Sequence, residues 1–346
     1  MKKKIICLPG DGIGPEIMDS ALQILQAIAN KHQYEFETET YDFGGIAIDR
    51  KGSSLPEETL KACLNSDAVL LAAVGGPKWS GDGDRPEKGL LAIRKALNLY
   101  ANVRGLEVFP QLATFSPLKE ENVKNVDFIV VRELIGGIYF GEPKKFTHEE
   151  AMDTLMYTRE EIERIITFAF ETARKRRKKV TSIDKENVLS SSKLWREVAL
   201  ETAKKYPDVE LEHLLVDAAA MELIRCPSRF DVIVTENMFG DILSDEASMI
   251  AGSLGLLPSA SYSTAGPTLY EPIHGSAPDI AGQNIANPIG MIRSMAMMLN
   301  DFDLKAGYVD VEKALHFVLD QGIRTKDLGG TASTTEFTQA MIAVLK

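Results

Sequence analysis

The sequence has 346 residues, more than the roughly 250–300 over which one hydrophobic core keeps growing, so it predicts two domains. A content of 45% hydrophobic and 26% charged residues is typical of a globular protein and excludes global disorder. The net charge of −11 has the wrong sign for a general binder of nucleic acids or other polyanions.

Short apolar runs alternate with amphipathic patterns along the chain, which is typical of α/β folds with parallel strands. The apolar runs predict strands at 4–8, 68–74, 128–131, 180–183, 214–216 and 231–234. The amphipathic patterns predict helices at 15–31, 56–65, 85–97, 159–175, 193–204, 240–254 and 287–300.

Targeting and redox signals predict a cytoplasmic protein. The longest apolar stretches fall far short of the ~20 residues that a membrane-spanning helix needs. The apolar run near the N-terminus is too short for a signal peptide. Cys7, Cys63 and Cys226 are odd in number and form no C-x-x-C pair, which favours neither a disulfide framework nor a zinc site.

Charged residues follow three predicted strands, where ligands bind in open α/β sheets. Asp184 and Lys185 follow one strand, Asp217 follows the next, and Glu236 comes after the third. A helix cap is the commoner explanation for a single acid after a strand. Charged residues after three strands nevertheless favour a functional site.

Asp241 and Asp245 lie four residues apart in a predicted helix, so their carboxylates share one face. Such like charges are mildly destabilising unless a cation lies between them. Oxygen ligands of this kind suit Mg²⁺ or Mn²⁺. A solvated acidic face is the alternative, and spacing alone does not decide between the two.

Three arginines in an acidic chain indicate a ligand with two or three carboxylates. Arg94 shares a helical face with Glu87, Leu90 and Leu91, at spacings that are typical of one side of a helix. The other two, Arg104 and Arg132, lie in or beside apolar strand-like runs. Guanidinium groups bind carboxylates in bidentate fashion. Any one of these arginines alone is more simply explained as a surface ion pair or an Arg whose stem covers apolar surface.

Several segments resemble known motifs but either do not match them fully or have another explanation. The glycines at 10, 12 and 14 resemble a dinucleotide fingerprint, but Pro15 follows where G-x-G-x-x-G continues, so we reject that motif. The basic run 174–179 is compatible with nucleic-acid binding but fits a solvated helix end better. Tyr139 follows two glycines. The segment 271–288 is rich in Gly, Pro and Asn, a composition that is typical of either a phosphate-binding loop or a long connection.

Long segments of the sequence resemble the β-decarboxylating dehydrogenases, the family of isocitrate, isopropylmalate, homoisocitrate, tartrate and D-malate dehydrogenases. The similarity runs nearly end to end and includes LPGDGIGPEI (8–17), RPEKGLLAIRKALNLYANVR (85–104), VRELIGGIYFGEP (131–143), FDVIVTENMFGDILSDEASMIAGSLGLLPSAS (230–261) and EPIHGSAPDIAGQNIANP (271–288). The segment GLLAIRKAL favours the isopropylmalate branch.

The resemblance implies a two-domain α/β fold of mixed sheets flanked by helices, without a Rossmann G-x-G-x-x-G domain. It assigns 1–100 and 252–346 to a first domain with the cofactor loop. It assigns 101–251 to a second domain with the dimerisation, metal and catalytic residues. The implied assembly is a homodimer with shared active sites, to which the neighbouring subunit lends Lys185 and Asp217.

The family reaction is the NAD-dependent oxidation and decarboxylation of (2R,3S)-3-isopropylmalate to 2-oxoisocaproate, with Mg²⁺ or Mn²⁺, in leucine biosynthesis. A D-malate or tartrate dehydrogenase is the alternative within the family. A nucleic-acid-binding role based on the run 174–179 is the alternative outside it, and the net charge opposes it. We therefore expect no nucleic-acid or membrane partner.

The resemblance also assigns individual roles. It implies that the catalytic pair is Tyr139 and Lys185, and that the metal ligands are Asp217, Asp241 and Asp245. The implied substrate contacts are Glu87, Leu90, Leu91, Arg94, Arg104, Arg132 and Asp217. The implied NAD contacts are Glu271, His274, Gly275, Ser276, Ala277, Asp279, Ile280 and Asn287.

Overall fold

The computed structural model describes residues 2–81 and 83–346. Its strands are β1 (Lys3–Gly10), β2 (Phe36–Thr40), β3 (Ala68–Ala73), β4 (Leu99–Glu107), β5 (Asp127–Glu133), β6 (Lys145–Phe146), β7 (Ala151–Met152), β8 (Lys179–Asp184), β9 (Glu210–Leu215), β10 (Val232–Thr235), β11 (Pro258–Ser263) and β12 (Thr268–Pro272). Its α-helices are α1 (Gly14–His32), α2 (Gly45–Lys51), α3 (Glu57–Leu64), α4 (Pro86–Ala96), α5 (Glu120–Val123), α6 (Arg159–Arg174), α7 (Ser190–Ala203), α8 (Val216–Arg225), α9 (Asn237–Ile250), α10 (Ile289–Asp301), α11 (Lys305–Asp320) and α12 (Thr334–Leu345). In those two ranges, no helix combines the length and the apolarity that crossing a membrane requires.

The first compact unit consists of Met1–Leu99 and Ser253–Lys346. Its strands lie side by side in the order β2-β1-β3-β12-β11. The entirely buried sequence of β3, AVLLAA, is typical of a strand covered on both faces. On α1, Ile17, Ala21, Ile24 and Ile28 recur every three or four residues and form its buried face.

The second unit is Tyr100–Gly252, with strands in the order β4-β5-β10-β8-β9. The apolar strand β10 lies between β5 and β8 and is fully buried. A capping box starts α6, because the side chains of Thr158 and Glu161 each accept a backbone N–H of the other residue. The buried Trp195 of α7 donates its indole N–H to Ser182 Oγ at 3.1 Å, which anchors that helix on β8.

The expectation of parallel pairing is wrong at three places. β11 and β12 are antiparallel because a short connection, 264–267, allows only a hairpin. β4 and β5 are antiparallel as well. The short strands β6 and β7 form a separate antiparallel pair. The remaining neighbours within each unit pair in parallel.

Two predicted element boundaries are corrected. β9 ends at Leu215, so Val216 begins α8 and Asp217 lies in the first turn of a helix. The helix predicted at 240–254 is α9, which begins at Asn237 and ends at Ile250, shortly before Gly252 takes a φ of +90°. The division of the chain at 99/100 and 252/253 differs by one residue from each predicted border. The roles assigned to the two parts stay predictions.

Candidate active site

Three side chains of the second unit converge on the carboxylate of Asp241, in the second turn of α9. The Arg132 guanidinium forms an ion pair with Asp241 Oδ1 through Nη1. Arg104 Nη2 lies 3.5 Å from the same oxygen. The Tyr139 hydroxyl donates to Asp241 Oδ2 at 3.1 Å. The structure thus brings together candidate residues for substrate binding, catalysis and metal binding.

Arg132 is almost fully buried on β5, and the first residue of α9 holds its guanidinium. Arg132 Nε and Nη2 both donate to Asn237 Oδ1, at 3.1 and 2.8 Å. Asn237 Nδ2 donates in turn to the Gly136 carbonyl at 3.0 Å. Because the guanidinium is a planar fork of donors, these bonds fix its orientation.

Arg104 lies between the two aspartates on one face of α9. Its Nη1 donates to Asp245 Oδ1 at 3.1 Å and to Ser244 Oγ at 2.6 Å, while Nη2 reaches Asp241. Its Nε donates to Asn102 Oδ1 at 2.9 Å. Two carboxylates one turn apart repel each other. Arg104 supplies a compensating cation, so this acidic face is paired with a cation as well as solvated.

Tyr139 ends a single 3₁₀ turn whose first residue, Gly137, has a φ of +75°, a conformation that favours glycine. The Arg132 guanidinium carbon lies 5.8 Å from the centre of the tyrosine ring. Burial raises the pKa of Tyr139 above its usual value, and the charge and hydrogen bond of Asp241 raise it further. The phenol therefore stays protonated at neutral pH and is able to donate a proton.

Lys185 and Asp217 form a separate ion pair, with Nζ 3.0 Å from Oδ1. Lys185 follows β8 directly, and its backbone N–H donates to Ser192 Oγ at 3.0 Å. Asp217 lies in the first turn of α8, where the helix dipole favours an acid. The hydrogen bond from Lys185 lowers the pKa of the Asp217 carboxyl.

The other two acids that follow predicted strands serve the fold. Asp184 is buried at the end of β8, and Arg196 donates to both of its oxygens at 2.8 and 2.9 Å. Glu236 caps α9, because its carboxylate accepts the N–H of Phe239 at 2.8 Å. The cap explanation therefore applies to Glu236, whereas Lys185 and Asp217 remain site candidates.

The predicted metal ligands lie in two different groups. Asp241 and Asp245 are one turn apart on α9, whereas Asp217 pairs with Lys185. Across residues 2–81 and 83–346, no group of three or more His, Cys, Asp or Glu side chains is placed to hold a metal ion. One chain therefore does not assemble the predicted three-carboxylate set, and the metal site stays a prediction.

In the first unit, the predicted substrate-binding helix is α4. Arg94 is buried, Leu90 and Leu91 are half-buried, and Glu87 is exposed. Arg94 Nη2 donates at 3.2 Å to Glu271, a residue that the resemblance assigned to the cofactor. Arg94 Nε is buried and lacks a hydrogen-bond partner among the described residues, which leaves a donor for an anionic ligand oxygen.

A cleft of about 700 Å³ in the first unit contains most of the predicted cofactor-binding residues. Its volume is in the range of small-molecule sites. The predicted residues that line it are His274, Gly275, Ala277, Ile280 and Asn287. Of the others, Ser276 is buried with its hydroxyl donating to the Gly75 carbonyl at 2.7 Å, and Asp279 is exposed on the same loop.

His274 presents an unused ring nitrogen. Its Nδ1 lies 2.9 Å from the Gly275 carbonyl oxygen, which makes Nδ1 the protonated nitrogen. Burial lowers the pKa of His274, which favours the neutral ring. Its Nε2 is buried and is without a hydrogen-bond partner in the described parts of the chain, so it is able to accept a hydrogen bond from a ligand.

Sequence reasoning missed three residues that shape these sites. Asn237 orients Arg132, and its place directly after a strand and a capping acid was a usable signal. Ile13 lines the cleft and lies in the glycine motif that Pro15 excluded. Asp327 also lines the cleft, but it lies on a short turn with no local signal.

The basic run 174–179 contacts acids of its own unit, which disfavours the nucleic-acid alternative. Its ion pairs are Arg174 and Lys178 with Asp208, Arg176 and Arg177 with Asp127 and Asp231, and Lys179 with Glu210 and Glu212.

Comparison with protein families identifies the class of protein to which this fold and these residues belong. A profile of the family described as isocitrate/isopropylmalate dehydrogenase matches residues 4–341, and the chain belongs to that family. The family assignment and the fold class predicted from the sequence are thereby confirmed.

Individual relatives are described more specifically than the family. A 3-isopropylmalate dehydrogenase of Bacillus cereus is 61% identical over 343 residues, which cover 99% of this chain and 96% of the relative. That of Staphylococcus saprophyticus is 60% identical over 337 residues, 97% of each chain. The crystal structure of isocitrate dehydrogenase from Methylococcus capsulatus matches with a TM-score of 0.89 and 36% identity, over 99% of both chains.

Proposed function

We propose that this enzyme oxidises (2R,3S)-3-isopropylmalate at C2 with NAD⁺ and releases CO₂, giving 2-oxoisocaproate for leucine biosynthesis. The observation that carries the proposal is 61% identity, over 99% of the chain, to a protein named 3-isopropylmalate dehydrogenase. The half-buried Leu90 and Leu91 suit a branched apolar substituent better than the bare C3 of malate. Both facts favour this reaction over a D-malate or tartrate dehydrogenase.

We assign the substrate carboxylates to Arg94, Arg104 and Arg132. Arg94 Nε is a buried donor without a hydrogen-bond partner in the parts of the chain that the structure describes. Arg104 and Arg132 already bind a carboxylate, that of Asp241, which supports their use for carboxylate recognition. A substrate carboxylate that takes over these donors would free oxygens of Asp241.

The α9 acids fit a divalent cation. Carboxylate oxygens are the ligands that Mg²⁺ and Mn²⁺ prefer, and Asp241 and Asp245 project from one helical face. Asp217 from a second copy of the chain would complete the set. When bound, the cation supplies a Lewis acid at the 2-oxygen and NAD⁺ supplies the hydride acceptor.

Two side chains of this protein would move protons. Lys185 Nζ would take the proton of the C2 hydroxyl as C2 is oxidised. After the bond from C3 to the leaving carboxylate breaks, Tyr139 Oη would deliver a proton to C3. The raised pKa of Tyr139 supports this role, because the phenol remains protonated until it is used.

We assign NAD⁺ to the cleft around the 274–287 loop. The side chains of His274 and Asn287 offer polar contacts in an otherwise mostly apolar cleft, and His274 Nε2 has no hydrogen-bond partner within residues 2–81 and 83–346. The exposed carboxylate of Asp279 would repel a 2′-phosphate and accept hydrogen bonds from ribose hydroxyls. We therefore expect a preference for NAD⁺ over NADP⁺. In addition, the family resemblance implies that Glu87 lies near the nicotinamide.

A homodimer completes the proposal. Met221 and Ile224 on α8, and Ile242 and Met249 on α9, are exposed apolar side chains on two helices that pack against each other. Exposed apolar side chains grouped in this way are typical of a protein interface. A two-fold dimer would give two equivalent sites, each receiving Lys185 and Asp217 from the other copy. Its cysteine thiols are unpaired, which fits a reducing cytoplasm.

NADH formation over a panel of malates tests the function. The panel carries an isopropyl group, a methyl group, a carboxymethyl group or hydrogen at C3, with NAD⁺ or NADP⁺ and with or without Mn²⁺. We expect the highest kcat/KM for the isopropyl compound with NAD⁺ and Mn²⁺. Equal or faster turnover of malate itself would instead favour the D-malate alternative.

A further inference from the structure

The segment 10–16, which fails as a dinucleotide fingerprint, connects β1 to α1 and contains a buried carboxylate. Asp11 is 4% exposed. Its Oδ2 accepts the N–H groups of Gly45 and Gly75 at 2.8 and 2.9 Å, and its Oδ1 accepts that of Ile46 at 2.8 Å. Both oxygens are therefore used by backbone donors, and Asp11 acts on the protein rather than on a ligand.

Gly75 links Asp11 to Ser276, a predicted cofactor contact, and lies near Glu87, a predicted substrate contact. Its N–H is held by Asp11, and its carbonyl accepts the Ser276 hydroxyl at 2.7 Å. Gly75 has a φ of +100°, and a Cβ on it would lie 3.1 Å from Glu87 Oε1. The backbone position of Gly75 thus bears on both Ser276 and Glu87.

The same segment also contacts the cofactor loop directly. The Ile13 N–H donates to the Ser276 carbonyl at 2.8 Å. Gly12 has a φ of +57°, and a Cβ on it would lie 2.0 Å from the same carbonyl oxygen. Farther along, Glu16 Oε1 accepts the N–H of Gly282 at 2.6 Å. The segment therefore holds the loop 274–282 at both ends.

We propose that Asp11 is a positioning residue for the nicotinamide cofactor, which it serves by holding Gly75, and through it the Ser276 loop, in the binding conformation. The inference rests on the proposed use of NAD⁺. A purely structural role would lower stability and affect both substrates alike. A positioning role affects NAD⁺ selectively, because the loop that Asp11 holds carries the cofactor contacts.

The first test is Asp11→Asn, with Asp19→Asn as the matched control on the exposed face of α1. An amide has one oxygen, so its NH₂ group must face at least one of the three backbone donors. We expect the KM for NAD⁺ and the Kd for NADH to rise on the order of tenfold, with the KM for isopropylmalate changed less than about twofold. Equal increases for both substrates, or none, would overturn the proposal.

Gly12→Ala tests the same loop without altering Asp11. Its matched control is Gly322→Ala, because Gly322 has a similar φ of +73° but open space around its Cβ position. Both variants carry backbone strain, but only the first displaces Ser276. We expect Gly12→Ala alone to weaken NADH binding, and equal effects of the two variants would contradict the proposal.

Amide hydrogen exchange of the unmodified enzyme tests the positioning role of Asp11 if either variant fails to fold. NADH should slow exchange around residues 44–46 and 74–76 as well as in the 274–282 loop. Protection confined to the loop would overturn the role of Asp11. Absence of any NADH binding by the unmodified enzyme would reject the proposed function as well, so the two failures are distinguishable.

Discussion

The candidate residues around Asp241 in the second unit hold one another through their side chains, whereas Asp11 and Ser276 in the first unit are held by backbone groups. Arg104, Arg132 and Tyr139 all reach the carboxylate of Asp241. Asp11, in contrast, accepts three backbone N–H groups. Side chains that share one partner all lose an interaction when it is replaced. Single substitutions should therefore do the most damage in the second unit.

Asp241→Asn is the most severe test of this difference. It removes the charge that pairs with the buried Arg132 and a predicted metal ligand in one step. We expect kcat to fall on the order of 100-fold or more and the Mn²⁺ requirement to rise. Steady-state kinetics over a Mn²⁺ series, with circular dichroism to verify folding, provides the measurement.

Asp19→Asn controls for the loss of one negative charge at an exposed helical site. It should match the unmodified enzyme in both assays. Retention of most of the activity in Asp241→Asn, or full activity of the unmodified enzyme in EDTA, would contradict the metal-assisted mechanism.

Mixed dimers test whether the two residue groups of the second unit belong to different sites. Lys185→Met and Asp241→Asn should each be nearly inactive as pure dimers. In a mixed dimer with shared sites, one site inherits both defects and the other is intact. Random pairing makes half of the dimers mixed, so activity should recover to roughly a quarter of the unmodified level.

The control for this experiment is each variant co-expressed with itself under another affinity tag. NADH formation is measured on the random mixture and again after tandem purification of the mixed dimers, in which one site of two is intact and activity should reach roughly half of the unmodified level. If Lys185 and Asp241 served the same chain's site, purified mixed dimers would stay as inactive as the pure ones.

Candidate residues of the second unit are easier to recognise in the sequence than the supporting residues of the first, for a physical reason. Arg104, Arg132, Asp241 and Asp245 are conspicuous because charges beside apolar runs are costly without a function or a partner. Their mutual pairing was not predictable, since it depends on how β4, β5 and α9 pack. In the first unit, Asp11 acts through backbone N–H groups that carry no residue-specific signal. Asp327 reaches the cleft from a distant turn, which only the tertiary structure reveals.

A smaller effect is expected on α4, where the substrate contacts proposed for Leu90 and Leu91 are apolar rather than charged. If Leu90 and Leu91 hold the isopropyl group, replacing either with Ala should cost on the order of 1–3 kcal/mol of discrimination between isopropylmalate and malate. The ratio of the two kcat/KM values measures this cost. Leu64→Ala is the control, because Leu64 is exposed on α3. An unchanged ratio in both α4 variants would place the pocket elsewhere.

Glu133 of the second unit extends the comparison of the two units, because its buried carboxyl accepts backbone N–H groups as that of Asp11 does in the first unit. It is fully buried beside Arg132, and it accepts the N–H groups of Ile135 and Gly136 at 3.2 and 2.8 Å. The Tyr157 hydroxyl lies 3.3 Å from it. Burial raises the pKa of Glu133 to about 7, and the backbone hydrogen bonds only partly offset that rise.

The raised pKa predicts that stability falls as the pH rises. Between the ordinary pKa of a glutamate, about 4.3, and the folded value of about 7, the folded state holds a proton that the unfolded state has lost. The free energy of unfolding should therefore be highest near the acidic end of this window and decline through it, by at most about 4 kcal/mol from this group. Glu133→Gln, which cannot ionise, should be less stable at about pH 5 but should show a distinctly smaller decline towards about pH 8.

Urea unfolding at several pH values measures how steeply the free energy of unfolding declines with pH. The control is Glu160→Gln, exposed in the first turn of α6, which should keep the full slope. A slope in Glu133→Gln equal to that of the control would mean that Glu133 is ionised throughout, and that its backbone donors stabilise the carboxylate as fully as water does.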